Sequence, residues 1–184
     1  ERINQGGLVG YVIICLLIFG IVLAILRIVK LSVTSTQVNN QKGTSTADPT
    51  NPLGRIMETY SKNKGLDVEN LQLKLDDAIL KELPSLEKGL STIKVLAAIS
   101  PMLGLLGTVT GMIETFQAIT LFGTGDPKMM AGGISQALIT TVLGLTSAIP
   151  LILLHSIASS RSKAVIEVLE EQSSGIVASH AENR

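Results

Sequence analysis

One acid stands inside an otherwise uncharged apolar run of this chain. Glu114 belongs to SPMLGLLGTVTGMIETFQAITLF, Ser100 to Phe122, long enough to cross a hydrocarbon core of about 30 Å. It lies some eight residues, or roughly 12 Å of helical rise, before the end of that run. An ionisable group in lipid is costly and usually faces a polar interior. Two roles stay open: Glu114 bonds to a neighbouring helix or reaches the outer interface, or it takes part in conducting protons or cations. Thr108 in the same run, and Gln136, Thr140 and Thr141 in GGISQALITTVLGLTSAIPLILLHSIA, Gly132 to Ala158, do not titrate near pH 7. They can hold water or hydrogen-bond a carboxylate and so line a pore, or, in the case of the threonines, bond back to their own helix. His155 near the end of the second run reads as an interfacial residue, with proton exit as the alternative.

Other chemistry is poorly supplied. His155 and His180 are scattered, Cys15 is alone inside an apolar run and reads as an apolar-like thiol, and no nucleophile has a sequence-visible base. The expectation is a non-enzyme without catalytic residues, metal or cofactor. The stretch GLLGTVTG, Gly104 to Gly111, lacks the lysine of a phosphate-binding loop and lies within a span, so close helix packing is the expected reason for its glycines.

The elements that would position these groups are marked by small residues. Gly104, Thr108, Gly111 and Thr115 follow at steps of four, three and four, and so share a helical face; Gly133, Ala137, Thr141, Gly144 and Ala148 repeat the pattern. In lipid, close backbone approach and interhelical hydrogen bonds replace the missing hydrophobic drive. Gly104, Gly107, Gly111, Ala137, Gly144 and Ala148 are therefore expected at helix contacts, and Pro101 and Pro150 are expected to kink their helices.

Across 184 residues, 46% are hydrophobic, 16% are charged, and 15 basic residues balance 15 acidic ones; mean hydropathy is +0.43. That balance suits an integral membrane protein and gives no reason to expect a nucleic-acid partner. A third uncharged run, Leu8 to Leu26, ends at Arg27 and Lys30. It is too long and leucine-rich for a signal peptide and is expected to be retained. The chain starts at Glu1 without a methionine, and something upstream is expected to have been removed. Lys88 and Lys94 precede the second span, Arg161 and Lys163 follow the third, and Lys128 alone falls in the connection between them. The positive-inside rule then places the N terminus outside and the C terminus in the cytoplasm.

The expected organisation is an N-terminal periplasmic edge and first span over 1–30, cytoplasmic loop and helices over 31–95, a second span over 96–122, a periplasmic loop over 123–132, a third span over 133–160 and a cytoplasmic C-terminal helix over 161–184. Residues 34–52 are polar and aperiodic and read as a loop. From Asp67, a plausible N-cap, the apolar positions Val68, Leu71, Leu75, Ile79, Leu83, Leu86, Leu90 and Ile93 step by three and four. Pro84 should kink or divide that helix, and the stripe continues towards Val95 and Leu96 without a spacer. Beyond His155 no strong breaker occurs before Gly175. The fold class expected is all-α integral membrane, three transmembrane helices with long cytoplasmic helical extensions.

The stretch SPMLGLLGTVTGMI from Ser100 and the stretch GISQALITTVLGL from Gly133, followed by Ala148-Ile149-Pro150, strongly resemble the signature of the ExbB/TolQ/MotA proton-channel family. With the three-span layout the likeness covers nearly the whole chain. Within the family it most resembles the ExbB-like biopolymer-transport proteins of the TtpC type, through RINQGGLVGYVI and LFGTGDPK; such proteins carry an extra periplasmic region ahead of the first span. The resemblance implies a homo-oligomeric ring, a pentamer, in a bacterial inner membrane. Its second and third spans would line a pore holding the helices of an ExbD- or TolR-like single-span partner with a membrane aspartate, and proton flow would drive a TonB-like protein to energise outer-membrane import such as iron-siderophore or haem uptake. By motif position, Thr108 and Thr141 correspond to pore threonines facing that aspartate. Where ExbB and TolQ have a glutamate, this chain has Gln136, so a proton-carrying role for that glutamate does not transfer; Glu114 is a weak candidate to compensate. A TolQ-like subunit of an envelope-maintenance motor and a non-conducting membrane scaffold are the alternatives. Three spans argue against a flagellar stator, and an intramembrane enzyme would need a paired acid, histidine cluster or activated serine that the spans lack.

Overall fold

The computed structural model describes residues 7–123 and 127–182. Residues 1–6 of the expected periplasmic edge, 124–126 of the expected outer loop and 183–184 at the C-terminal end lie outside the described residues. Those described form helices and their connections: α1 Gly7–Lys42, α2 Pro52–Lys62, α3 Val68–Glu87, α4 Leu90–Phe122 and α5 Pro127–Glu182. The protein is all-helical, and three stretches, Gly7–Lys42, Val68–Leu121 and Met130–Glu182, are long and apolar enough to cross a membrane.

Local chemistry sets the helix ends. Asn51 caps α2, its Oδ1 accepting from the Gly54 N–H at 2.8 Å, with Pro52 at the first helical position, where its missing N–H costs nothing. Asp67 caps α3 by accepting from the Asn70 N–H. Pro84, expected to kink or divide its helix, does not divide it; the break falls at Lys88 and Gly89. Pro84 is on the exposed side of α3, where solvent can reach the carbonyl it leaves unpaired, and the helix runs on to Glu87. Gly89 then adopts a φ of +80°, a conformation open to glycine and costly for other residues. Gly123, with a φ of +74°, ends α4 with its N–H bonded to the Ile119 carbonyl. Gly175 does not stop α5, which continues to Glu182.

The chain divides into two compact units. One comprises the chain up to Ile25 and Ser91–Ser156; the other comprises Leu26–Leu90 and the chain from Ile157 onward. In the second unit Leu71, Leu75, Ile79 and Leu86 of α3 form a core with Leu31, Val38, Leu53, Ile56, Val165 and Leu169. The bidentate pair Arg55–Glu82, at 2.7 Å through each nitrogen, joins α2 to α3 and holds the guanidinium above its usual pKa. Buried Gln41 orders the connection after α1. Its Nε2 donates to the carbonyls of Thr44 and Thr46, and its Oε1 accepts from the Asp48 N–H and Asn51 Nδ2. His180 anchors the end of α5, with Nε2 3.1 Å from the Leu66 carbonyl and its ring edge-on to Tyr60.

Candidate functional site

The polar residues of the two small-residue runs fall within the first unit, on α4 and α5. Glycine brings the two backbones together. A methyl at Gly104 would stand 2.9 Å from the Thr140 carbonyl oxygen and 3.3 Å from the Gly144 Cα, and one at Gly144 would stand 2.6 Å from the Ser100 carbonyl oxygen. One at Gly111 would meet the Ala137 Cβ at 3.0 Å, and one at Gly107 would fall on the Thr140 side chain. Ala137 and Ala148 are buried on α5. Both helices continue through Pro101 and Pro150.

Hydroxyls fill the remaining polar needs of this contact. Thr140, 1% exposed, donates to the Ala137 carbonyl at 2.7 Å and lies 3.3 Å from the Gly104 carbonyl. Thr115 donates to the Gly111 carbonyl and packs on Gly133. Ser100 and Ser147, which the spacing argument passed over, are fully buried and bond back to Leu96 and Gly144. Ser100 stands four residues before Gly104, so extending the same face by one turn finds it.

Thr108 and Thr141 differ from these. Each is partly exposed. Thr108 donates to the Leu105 carbonyl of its own helix, while Thr141 Oγ1 lies 3.4 Å from the Gly104 carbonyl of α4. Their flank follows from where α1 packs. Gly20 of α1 meets Leu96 and Leu151, and Leu16, Leu17 and Ile21 pack on the same pair. At about 100° per residue, Glu114, eighteen residues after Leu96, returns to the α1 side, whereas Thr108 is about 120° away from Glu114. On α5, Gln136 has its Nε2 2.7 Å from where a Gly7 Cβ would be, and Thr141 lies about 140° round from it. The helix pair thus carries Thr108 and Thr141 on the flank turned from α1, and Glu114 and Gln136 on the flank towards it. The Gly111–Ala137 contact fixes the level, and from it Glu114 and Gln136 differ in height by about 3 Å. Glu114 is exposed on the protomer surface.

His155 lines a shallow cavity of about 360 Å³ with Lys94, Ala97, Ala98, Pro101 and Ile152. Among the described residues no three His, Cys, Asp or Glu side chains are grouped to hold a metal ion. What the pair carries chemically is two partly exposed hydroxyls on one flank and a carboxylate on the opposite flank.

Residues 48–171 match the MotA/TolQ/ExbB proton channel family. Among curated proteins the chain is similar to a biopolymer transport protein ExbB homolog from Methanothermobacter thermautotrophicus, 32% identical over 92% of this chain and 66% of the relative. It is also similar to a biopolymer transport protein ExbB-like 3 from Synechocystis, 32% identical over 68% of this chain and 60% of the relative. The Tol-Pal system protein TolQ of Haemophilus influenzae is 36% identical over 48% of this chain and 39% of its own. The chain therefore spans under two thirds of the length of the first two relatives.

Proposed function

The chain belongs to the MotA/TolQ/ExbB proton channel family, and from that premise we propose that it is the ring-forming subunit of an inner-membrane complex that converts proton flow into mechanical work. In this reading five copies close into a ring through the apolar faces of their spanning helices, and α4 and α5 of each copy present Thr108 and Thr141 to a central pore. A single-span partner resembling ExbD or TolR supplies the titrating aspartate, which the hydroxyls solvate as it gains and loses its proton. Gln136 cannot carry a proton, so the obligatory carrier comes from the partner. Thr140 holds the two helices in register, and the glycines keep their backbones close enough for both pore threonines to share one flank. The N terminus faces the periplasm and the C terminus the cytoplasm, as the distribution of Arg27, Lys30, Lys94, Arg161 and Lys163 favours. The work is delivered through a TonB-like protein to outer-membrane import, of which iron-siderophore or haem uptake is the expected cargo.

The observation that carries this reading is the shared flank of Thr108 and Thr141, turned from α1 and so free to face a different helix. Replacing both by valine keeps shape and removes the hydroxyls. Proton flux of the reconstituted complex with its partner is expected to fall at least tenfold, since one lost hydrogen bond to a charged group is worth about 1.5–3 kcal/mol. Unchanged flux would refute the assignment. The likeness to TolQ supports a second reading, an envelope-maintenance motor with the same pore; which single-span partner co-purifies with the chain separates the two.

A further inference from the structure

Arg27, the first charged residue after the apolar run of α1, is buried with no carboxylate paired to it among the described residues. It is 8% exposed, and its Nη2 donates to the carbonyls of Ser85 at 3.0 Å and Leu86 at 3.2 Å. Those carbonyls belong to the last turn of α3, which lacks intrahelical donors for them, so this contact caps a helix C terminus. Capping accounts for one nitrogen only. Arg27 Nε is buried without an acceptor, and among the described residues Arg27 joins no ion pair.

Arg27 also lines a cavity of about 310 Å³. Lys30 and Thr34 follow Arg27 on one face of α1 and line it too, with Thr50 and Arg55 opposite and no acidic side chain in the lining. Arg55 is already engaged by Glu82 and the Pro49 carbonyl. Lys30 is exposed, without an ion pair among the described residues. Two cations without a carboxylate partner among the described residues, in a lining that holds no acid, suit an anion with several acceptor oxygens. The cavity exceeds the roughly 30 Å³ of a water molecule about tenfold, leaving room for ester substituents. Because Arg27 directly follows the uncharged run Leu8 to Leu26, a helix crossing a bilayer through that run sets the cavity at one bilayer surface, where phosphate-bearing lipid headgroups are the abundant anions.

We infer that the Arg27–Lys30 cavity is a phosphate-binding site, filled in the membrane by the headgroup of an anionic phospholipid. The cavity lies within the second unit, its placement at a bilayer surface follows from the apolar run that Arg27 succeeds along α1, and neither depends on the proton-channel reading. The test titrates the purified full chain, in its assembled form in a zwitterionic detergent, with short-chain phosphatidylglycerol, short-chain phosphatidylcholine and inorganic phosphate. Thermal unfolding is followed by circular dichroism and retained lipid by native mass spectrometry. Phosphatidylglycerol is expected to raise the melting temperature saturably while phosphatidylcholine does not, and Lys30→Gln, at an exposed position, should weaken that binding roughly tenfold. Arg27→Lys, which keeps the charge and removes the planar fork, should weaken it as well; if that variant does not fold, Lys30→Gln still decides. Saturable stabilisation by inorganic phosphate but not by phosphatidylglycerol, lost in Lys30→Gln, would support the phosphate site and assign it a soluble source. Equal responses of wild type and Lys30→Gln, or no stabilisation by either phosphate compound, would overturn the inference.

Discussion

At the scale of single residues, the helix pair separates two kinds of polar group that sequence spacing alone leaves mixed. Thr115 and Thr140 are consumed inside the α4–α5 contact, whereas Thr108 and Thr141 keep partial exposure on a common flank. Glycine makes that possible, and it can be tested by two alanines. Gly144→Ala would drive a methyl to 2.6 Å from the Ser100 carbonyl oxygen, backbone that cannot yield without moving the helix. It should cost about 1–3 kcal/mol, as overpacking does, read as a lowered melting temperature. Gly175→Ala meets nothing within 4 Å inside the same helix and should instead stabilise by about 0.5–1 kcal/mol. Glu114 and Gln136 share the other flank at nearly the same height, so a carboxylate at either place would occupy a similar environment. Glu114→Gln is expected to lower proton flux in the reconstituted complex, and adding Gln136→Glu to restore part of it; flux unaffected by Glu114→Gln would leave that carboxylate a packing or interfacial role.

At the scale of elements, α3 shows how far periodicity carries. Its apolar steps gave the buried face, and Asp67 caps it as the residue type suggests. Of the two outcomes expected at Pro84, a kink or a division, the division does not occur there, since an exposed position can forgo the hydrogen bond that proline removes, while Gly89 occupies a φ that ends the helix outright. The loop expected over 34–52 is helical as far as Lys42, because α1 runs on past its apolar stretch with Val38 and Gln41 on its buried side. In the shorter connection that remains, Gln41 makes four hydrogen bonds from a buried amide. Gln41→Ala should remove those four bonds, whose partners at Thr44, Thr46 and Asp48 are exposed and can turn to water, and cost about 0.5–1.5 kcal/mol. Hydrogen exchange of residues 44–51 would accelerate first, ahead of α3; unchanged protection there would show that the loop is held by other contacts.

For the whole molecule, a protomer presents a large apolar surface along its spanning helices. Leu138, Val142, Leu145 and Ile149 of α5 are each more than half exposed, a run that needs lipid or other helices against it. Native mass spectrometry of the purified complex is expected to give five copies of this chain with partner helices in the pore; a monomer that conducts protons by itself would contradict the proposal. What the sequence determined by itself were properties carried by short stretches: three apolar lengths, small residues at helical spacing, the cap at Asp67, and a family signature from Ser100 to Pro150. These depend on neighbours along the chain and so are legible in it. Only the tertiary structure decided which flank of α4 and α5 each polar residue occupies, that Ser100 and Ser147 belong to the contact, and that Arg27 is buried with a nitrogen to spare. Each of those turns on residues distant in sequence, Gly20 against Leu151 and Arg27 against Leu86, and helical spacing fixes a residue's face only relative to its own helix, not to the one that packs against it.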